Sequence, residues 1–510
     1  MKIALVNPRF PKSLWDFSYC RDIDGSKFPF PPLSLATLAA LTPEEHEVVI
    51  CDENVSPLNL ASEADIVGIT GHYIQKERVY QLANSFRDRG ITVAIGGPLV
   101  QESNLDECAE HGDVVFLGEA EYTWPMFIHD FQSNSAQSLY VQDKLVDLSD
   151  SPPPRFDLLD HSLYSTAIIE TSRGCPHSCE FCEIPIRLGK GSRTKSPEQV
   201  MTEIRELYRL GVDSIFIIDD NFFGNRKRAI TLLSEIRQFV RSIDYRLFFT
   251  CQFTIDIAQD VDVLSLLREA NFRRVFVGIE TPRESSLKMI KKRQNTRVNL
   301  LNAIHMIMSH NIIVWGAFIV GFDNDDTDIF KEQLDFIQLS AIPVAMVGIL
   351  QALPGTPLYE RMRQEGRLRD NEAGGIRGAF NQLTHTNITP KHMSDEDLAN
   401  GYRYLVRNLY DYDNFAERII NTVKLGKEYE LRGRTQMHKK EVLLILRLLR
   451  YYLISTEPRR IRMFMRVITQ TIIHNPHYLE TVLMHLIAYK HLKMFYDQGT
   501  SAIEEGHSVE

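Results

Sequence analysis

Short apolar, β-branched runs separated by helix-length stretches set the rhythm of the first part of the chain. Lys2–Val6, Val48–Cys51, Asp65–Thr70 and Ile91–Ile95 read as strands, and Leu33–Leu41 and Gln75–Arg89 as the helices between them. Strands alternating with helices predict parallel βαβ units in a doubly wound sheet. Ligands of such sheets bind beyond the carboxyl ends of the strands. Here those ends carry Asn7-Pro8, Asp52-Glu53-Asn54, Gly71-His72, Gly96-Gly97-Pro98 and Gly118-Glu119. The polar stretch Ser133–Pro154 closes on Ser151-Pro-Pro-Pro154, and because proline runs stiffen linkers and exclude helix, a domain boundary is expected there.

Beyond it the rhythm resumes with longer helices. Strands are expected over Thr166–Thr171, Ser214–Ile218, Arg246–Thr250, Arg274–Ile279, Ile313–Val320 and Ala345–Leu350, and helices over Pro197–Leu210, Arg226–Arg241, Val261–Ala270 and Thr327–Leu339. Ser196-Pro197-Glu198 is a good helix start, with the cap before the proline. Six such units fit a partial (β/α)6 barrel whose active face lies at the strands' carboxyl ends. Past Met362 the strand pattern stops, and Asp395–Tyr410, Phe415–Val423, Lys440–Ser455, Arg459–Ile473 and Tyr478–Phe495 read as helices. The expected layout is a first domain over 1–135, a linker over 136–160, a barrel over 161–365, a helical domain over 366–497 and a disordered tail over 498–510.

A chain of 510 residues is too long for one core, which agrees with that division. The first residues lack the apolar core of a signal peptide, and no stretch reaches about 18 uninterrupted apolar residues, so a cytoplasmic location is expected. The net charge of −10 is uneven: Leu431 to Tyr496 holds twelve Lys and Arg against three Asp and Glu. A basic amphipathic end of this kind suits anionic lipid headgroups, or simply packs on the acidic remainder. No aromatic stacking motif accompanies it, and nucleic acid is not expected as a partner.

Three of the seven cysteines change the picture. Cys175-Pro-His-Ser-Cys179-Glu-Phe-Cys182 places thiols at spacings of four and three just past the apolar run Ala167–Ile169. Such a loop can wrap one corner of a 4Fe–4S cluster, and three protein ligands on four irons leave one iron open for a substrate or cofactor. A structural zinc site would need a fourth ligand and paired motifs, and no second CxxC pair exists. An odd cysteine count with metal spacing also speaks for a reducing interior. Cys251 reads as a small buried hydrophobe and Gln252 as a residue lining the substrate side.

Taken with Ser192-Arg-Thr-Lys-Ser-Pro-Glu198, Asp219-Asp-Asn221, Gly278-Ile-Glu280, Gly316-Ala-Phe-Ile-Val-Gly321 and Pro354-Gly-Thr-Pro-Leu-Tyr359, the cysteine loop resembles that of the cobalamin-dependent radical S-adenosylmethionine enzymes over roughly residues 1–365. The segment from Gly401 to Tyr429 is similar to the extension of their hopanoid 2-methylase group. The resemblance implies a Rossmann-like cobalamin domain, a radical S-adenosylmethionine barrel and a helical extension. It implies that Cys175, Cys179 and Cys182 bind the cluster, and that S-adenosylmethionine chelates the open iron. Asp219, Asp220, Asn221 and Glu280 would then contact its methionine or ribose, and Gly316 and Gly321 would let adenine approach the backbone. Gly71, His72, Gly96, Gly97, Gly118 and Glu119 would face cobalamin. One departure stands: Asp52 to Leu58 lacks the histidine of an Asp-x-His-x-x-Gly loop, which leaves three alternatives: His72 as the lower ligand, cobalamin held without a protein ligand, or a domain that has lost cobalamin.

Methyl transfer to an unactivated carbon of a hydrophobic small molecule, a hopanoid or other lipid or a tetrapyrrole, is the expected activity. An external donor such as flavodoxin or ferredoxin would supply the electron. Ring formation or carbon–carbon coupling without methyl transfer is the alternative. A metal-stabilised binding protein is the non-catalytic one.

Overall fold

Two parallel sheets carry the site. The computed structural model describes residues 1–58, 63–369, 386–427 and 439–504. In the first sheet β1 (Lys2–Asn7), β2 (Glu47–Asp52), β3 (Ile66–Thr70), β4 (Thr92–Gly96), β5 (Val114–Leu117) and β6 (Leu139–Val141) pair in the order β2-β1-β3-β4-β5-β6. Leu5, for example, lies between Ile50 and Gly68. Strand order reverses at the β1/β3 junction, so a crevice opens between Asn7-Pro8 and Gly71-His72, as in other doubly wound sheets.

β6 comes from the polar stretch expected to be a linker. It is a three-residue edge strand with one buried side chain, Tyr140, which stacks on Phe116 at 5.4 Å. That is too little apolar signal to stand out in sequence.

The second sheet collects β7 (Ala167–Ile169), β10 (Ser214–Ile217), β11 (Phe248–Gln252), β12 (Phe272–Glu280), β13 (Ile313–Val320) and β14 (Val344–Ile349) in strict order, with β7 and β14 at opposite edges. A two-stranded antiparallel pair, β8 (Ser172–Arg173) and β9 (Arg193–Thr194), brackets the cysteine loop. The curved sheet is a half barrel. Alternation along its strands separates two faces. Ile215, Ile217, Phe249, Cys251, Val275, Val277 and Val314 are buried beneath the outer helices. Phe216, Thr250, Gln252, Phe276, Trp315 and Ala317 face inward and stay partly exposed, so the barrel encloses open space.

Helices Asp395–Leu409, Tyr412–Leu425, Lys439–Leu453, Pro458–His474 and Leu479–Glu504 form the C-terminal part. The last helix has apolar residues on all sides, with Val482, Leu486, Tyr489, Leu492, Phe495 and Tyr496 buried. That is the pattern of a helix surrounded by protein. It lies against the barrel: the Tyr496 hydroxyl accepts from the Val347 amide at 3.3 Å. His485 and His491 are buried structural groups, His491 reaching the Leu14 carbonyl at 3.0 Å. The helix runs on to Glu504, through the start of the stretch expected to be a disordered tail; 505–510 lie outside the described residues. Part of the basic end packs on acids, with Lys490 donating to Asp22 and Arg459 to Asp411 and Asp413.

Candidate active site

The three thiols sit on one loop at the barrel's rim, each partly exposed. Gly174 starts the loop at a φ of 89°, and a Cβ there would lie 2.7 Å from the Gly191 carbonyl oxygen. Only glycine fits both the left-handed backbone and the close approach. Burial pushes the Cys175 and Cys182 thiols up, Cys182 to about 12, so a metal must displace their protons to bind. Among the described residues no three His, Cys, Asp or Glu side chains converge tightly enough for one metal ion.

Asp219 braces this loop from below and offers nothing to a ligand. Fully buried, its oxygens accept from the Thr171 amide and hydroxyl, both at 2.6 Å, and from the Ser172 amide and hydroxyl at 2.9 and 2.7 Å. Asn221 is also buried, its oxygen taken by the Phe223 amide at 3.3 Å. Asp220 alone of the three is partly exposed, and one of its oxygens accepts from the Gly174 amide at 2.8 Å. Burial, reinforced by Glu170 and Asp219, pushes its carboxyl up to about 6.

Glu280 ends β12 at a φ of 67°, costly for a residue with a side chain. Its carboxylate turns back to accept from the buried Lys292 ammonium. A Cβ on Gly278 would lie 2.5 Å from that carboxylate and 2.6 Å from the Lys292 nitrogen. Burial works against the ammonium, but Glu280 and the thiols Cys179 and Cys182 outweigh it and hold the Lys292 pKa above its ordinary value. Gln294 donates to the Cys179 sulfur at 3.6 Å. Lys292 and Gln294 were missed in sequence because nothing local marks them; the short helix Glu284–Met289 and the loop after it bring them to the thiols.

Gly316 differs from expectation. A Cβ there would meet Phe318 at 2.7 Å and Ile342 at 3.1 Å, so its missing side chain makes room for the outer packing and not for adenine. Gly348, pointing inward one strand over, has nothing within 4 Å of a built Cβ. Gly321 has a Cβ position 3.5 Å from Leu398.

Glu119 differs as well. It accepts from Arg173 at 2.6 Å, from Arg193 at 2.7 Å and from the Val146 amide at 2.7 Å. Burial pushes its carboxyl up, but Arg193 and Arg173 outweigh that and hold it below its ordinary value. Arg173 also donates to Glu121 at 2.8 Å and to Glu170 at 2.7 Å. The residue two before Cys175 is thereby clamped to the first sheet, which fixes the thiol loop against that domain.

Gly71, Gly96, Gly97 and Gly118 line the rim of the first sheet. Gly97 has a φ of 86°, and a Cβ on it would lie 2.4 Å from the Thr70 hydroxyl, so two rim loops touch there. His72 is exposed, its backbone carbonyl accepting from the Gln75 amide at 2.8 Å and its ring 5.7 Å from that of Phe10. Crowding by the cleft walls, then the charge of Arg187, lowers its pKa. Arg173 and Arg193, on the strand pair that brackets the cysteine loop, both donate to Glu119, so the first sheet's rim and the thiol loop lie side by side. Asp52 is occupied by Asn7, Asn54 and Tyr164, which leaves the crevice a largely backbone surface. Such a rim suits a large flat ligand.

A half barrel with a three-thiol loop at its rim is the arrangement of a radical S-adenosylmethionine enzyme. The family model of the radical SAM superfamily matches residues 169–337, and that of a domain of unknown function (DUF4070) matches residues 356–505. An uncharacterized methyltransferase of Synechocystis is 35% identical over 431 residues, spanning 84% of this chain and 79% of that one. Hopanoid C-2 methylase of Rhodopseudomonas palustris is 34% identical over 375 residues, spanning 72% of this chain and 71% of that one. The solved structure of the cobalamin-dependent S-adenosylmethionine radical enzyme OxsB, with aqua-cobalamin and S-adenosylmethionine bound, shares the fold. Its TM-score is 0.61 at 18% identity, covering 100% of this chain and 81% of that one. The chain belongs to the radical S-adenosylmethionine methyltransferase family that includes these two relatives.

Proposed function

We propose that this enzyme places a methyl group on an unactivated carbon of a hydrophobic small molecule, a polycyclic lipid of the hopanoid kind or a tetrapyrrole. The observation that carries the reading is the contact between the two halves, in which Arg173 and Arg193, flanking the thiol loop, both donate to Glu119 at the first sheet's rim. Cys175, Cys179 and Cys182 would hold the cluster; Asp220 and Glu280 would orient S-adenosylmethionine beside it. The rim of Gly71, His72, Gly96, Gly97 and Gly118 would hold cobalamin. When bound, these groups supply one-electron cleavage of a sulfonium and a transferable methyl group.

The chain's own part is to align the two halves through the Arg173–Glu119 clamp and to keep water from the lumen. The lumen wall supports an apolar substrate: Trp15 lies 5.5 Å from Phe276, Phe30 5.9 Å from Phe216, and Phe17 6.4 Å from Trp315. An external one-electron donor completes the reaction. Anaerobically reconstituted protein given methyl-labelled S-adenosylmethionine and a lipid and pigment extract is expected to yield a labelled apolar product. Deoxyadenosine formation with unlabelled, cyclised or coupled product would sink the methyl-transfer reading.

Two C-terminal helices support contact with an anionic membrane surface. No described helix is long and apolar enough to cross a membrane. Lys439–Leu453 nevertheless exposes Leu443 and Leu446 beside Arg450, and Pro458–His474 exposes Met465, Ile472 and Ile473 beside Arg462 and Arg466. Each apolar side chain buried in the interface contributes about 1.5–3 kcal/mol. Sedimentation with phosphatidylglycerol vesicles is expected to fall about tenfold or more in Leu446→Asp/Ile473→Asp. Equal binding by both proteins, or no binding by either, refutes the contact.

A further inference from the structure

Arg274 is an inward-facing residue of β12 that the reading above leaves without a role. Its register partners Thr250 and Ile313 place it deep in the half barrel, below Phe276 and Trp315. Its guanidinium carbon lies 4.8 Å from the Trp315 ring centroid. No hydrogen-bond or ion-pair partner faces it among the described residues. Burial pushes its pKa down to about 10, so it stays charged at neutral pH. Part of the residue nevertheless meets open space. An unpaired, partly exposed charged group on the inward face of β12 lies on the wall of the half barrel's lumen. Leaving such a cation without a counter-charge is expensive, and stable proteins pair it.

The surroundings hold this arginine in place without neutralising it. The Trp315 indole N–H donates to His485 Nε2 at 3.1 Å, and His485 Nδ1 donates to the Thr481 carbonyl at 2.7 Å. Both imidazole nitrogens are used, and His485, held near 4 by burial, remains neutral. The last helix therefore fixes the indole under the guanidinium, and stacking on one face leaves the planar fork of donors free at its edge. A fork of this kind matches a carboxylate bidentately.

We propose that Arg274 is a substrate-recognition residue that binds a carboxylate on an otherwise apolar substrate, whose body lies along Phe276, Trp315 and Trp15. The proposal rests on the small-molecule reading given above and narrows it to an acid-bearing amphiphile. Six residues of β12 separate Arg274 from Glu280 at the rim, or about 20 Å of strand. The bound acid group would thus sit well below the thiols, with the carbon to be methylated toward the rim.

The test compares an acid with its neutral ester on the anaerobically reconstituted protein. Oleanolic acid and its methyl ester, and protoporphyrin IX and its dimethyl ester, serve as probes, with quenching of tryptophan fluorescence as the readout. The unsubstituted protein is expected to bind at least one acid about tenfold more tightly than its ester, since a charge-assisted bidentate pair is worth about 1.5–3 kcal/mol. In Arg274→Met that preference is expected to vanish while ester affinity stays within twofold, and Arg274→Lys is expected to recover part of it. Acid and ester binding equally, neither acid binding, or preference retained in Arg274→Met overturns the proposal; the first two need no variant to fold. Acid preference in a protein that transfers no label would leave this inference standing and remove the methyl-transfer reading.

Discussion

Lys292→Met is expected to lower the midpoint potential of the cluster held by Cys175, Cys179 and Cys182 by roughly 100 mV. A unit charge about 6 Å away at an effective dielectric of about 20 contributes on the order of 3 kcal/mol, and about 59 mV is tenfold for one electron. The direction follows from charge: an ammonium beside the thiols favours the cluster state with one more electron. Lys292 is buried, and the thiols Cys179 and Cys182 are among the groups that hold its proton on. The same change strands the Glu280 carboxylate, and removing one partner of a buried pair costs about 3–5 kcal/mol of stability. Lys292→Met/Glu280→Gln is expected to regain most of that stability, and part of the lost potential as well, because the Glu280 negative charge goes with the ammonium. Redox titration followed by electron paramagnetic resonance, together with thermal unfolding, separates the two effects. An unchanged potential in both variants would show that the lysine is only a structural partner of Glu280.

Asp219→Ala is expected to be the most damaging single change near the loop that leaves the thiols in place. It removes the acceptor of four hydrogen bonds at the entrance to the cysteine loop. It also removes a charge that faces Arg228, which donates to the Thr171 hydroxyl at 2.8 Å and the Thr171 carbonyl at 3.0 Å. Each buried polar group left unpaired costs about 1–3 kcal/mol, so the loss is expected to be at least about 3 kcal/mol. Iron content after reconstitution is expected to fall with the melting temperature. Asp220→Asn is the contrast: it keeps an acceptor for the Gly174 amide and is expected to raise the KM for S-adenosylmethionine while leaving the melting temperature nearly unchanged. Equal melting temperatures for Asp219→Ala and the unsubstituted protein would contradict the bracing role.

The roles of these two aspartates illustrate how far sequence reading reached. Asp219-Asp-Asn221 follows a strand of a βα unit, so its place at the active rim was legible from period and order alone. Alternation along the chain then turns Asp219 and Asn221 inward to the protein and leaves Asp220 partly exposed. Deciding which of the three is which required knowing that Thr171 and Ser172 pass beneath Asp219 from another strand. Glu119 and Gly316 were assigned to ligands through the family resemblance. Long-range partners reassign both: Arg173 and Arg193 claim the carboxylate, and Phe318 and Ile342 fill the space beside the glycine.

The sequence by itself determined the doubly wound sheet, the half barrel, the three-thiol loop and the helical end. Each of these is written in local signals: apolar period, turn residues and cysteine spacing. Only the tertiary structure decided what surrounds the thiols and what fills the lumen. Lys292 reaches Cys179 across 113 positions of sequence, and Trp315 meets His485 across 170. Burial and pairing of charge depend on such non-local contacts, and so do the electrostatics of the cluster loop and the unpaired cation of Arg274.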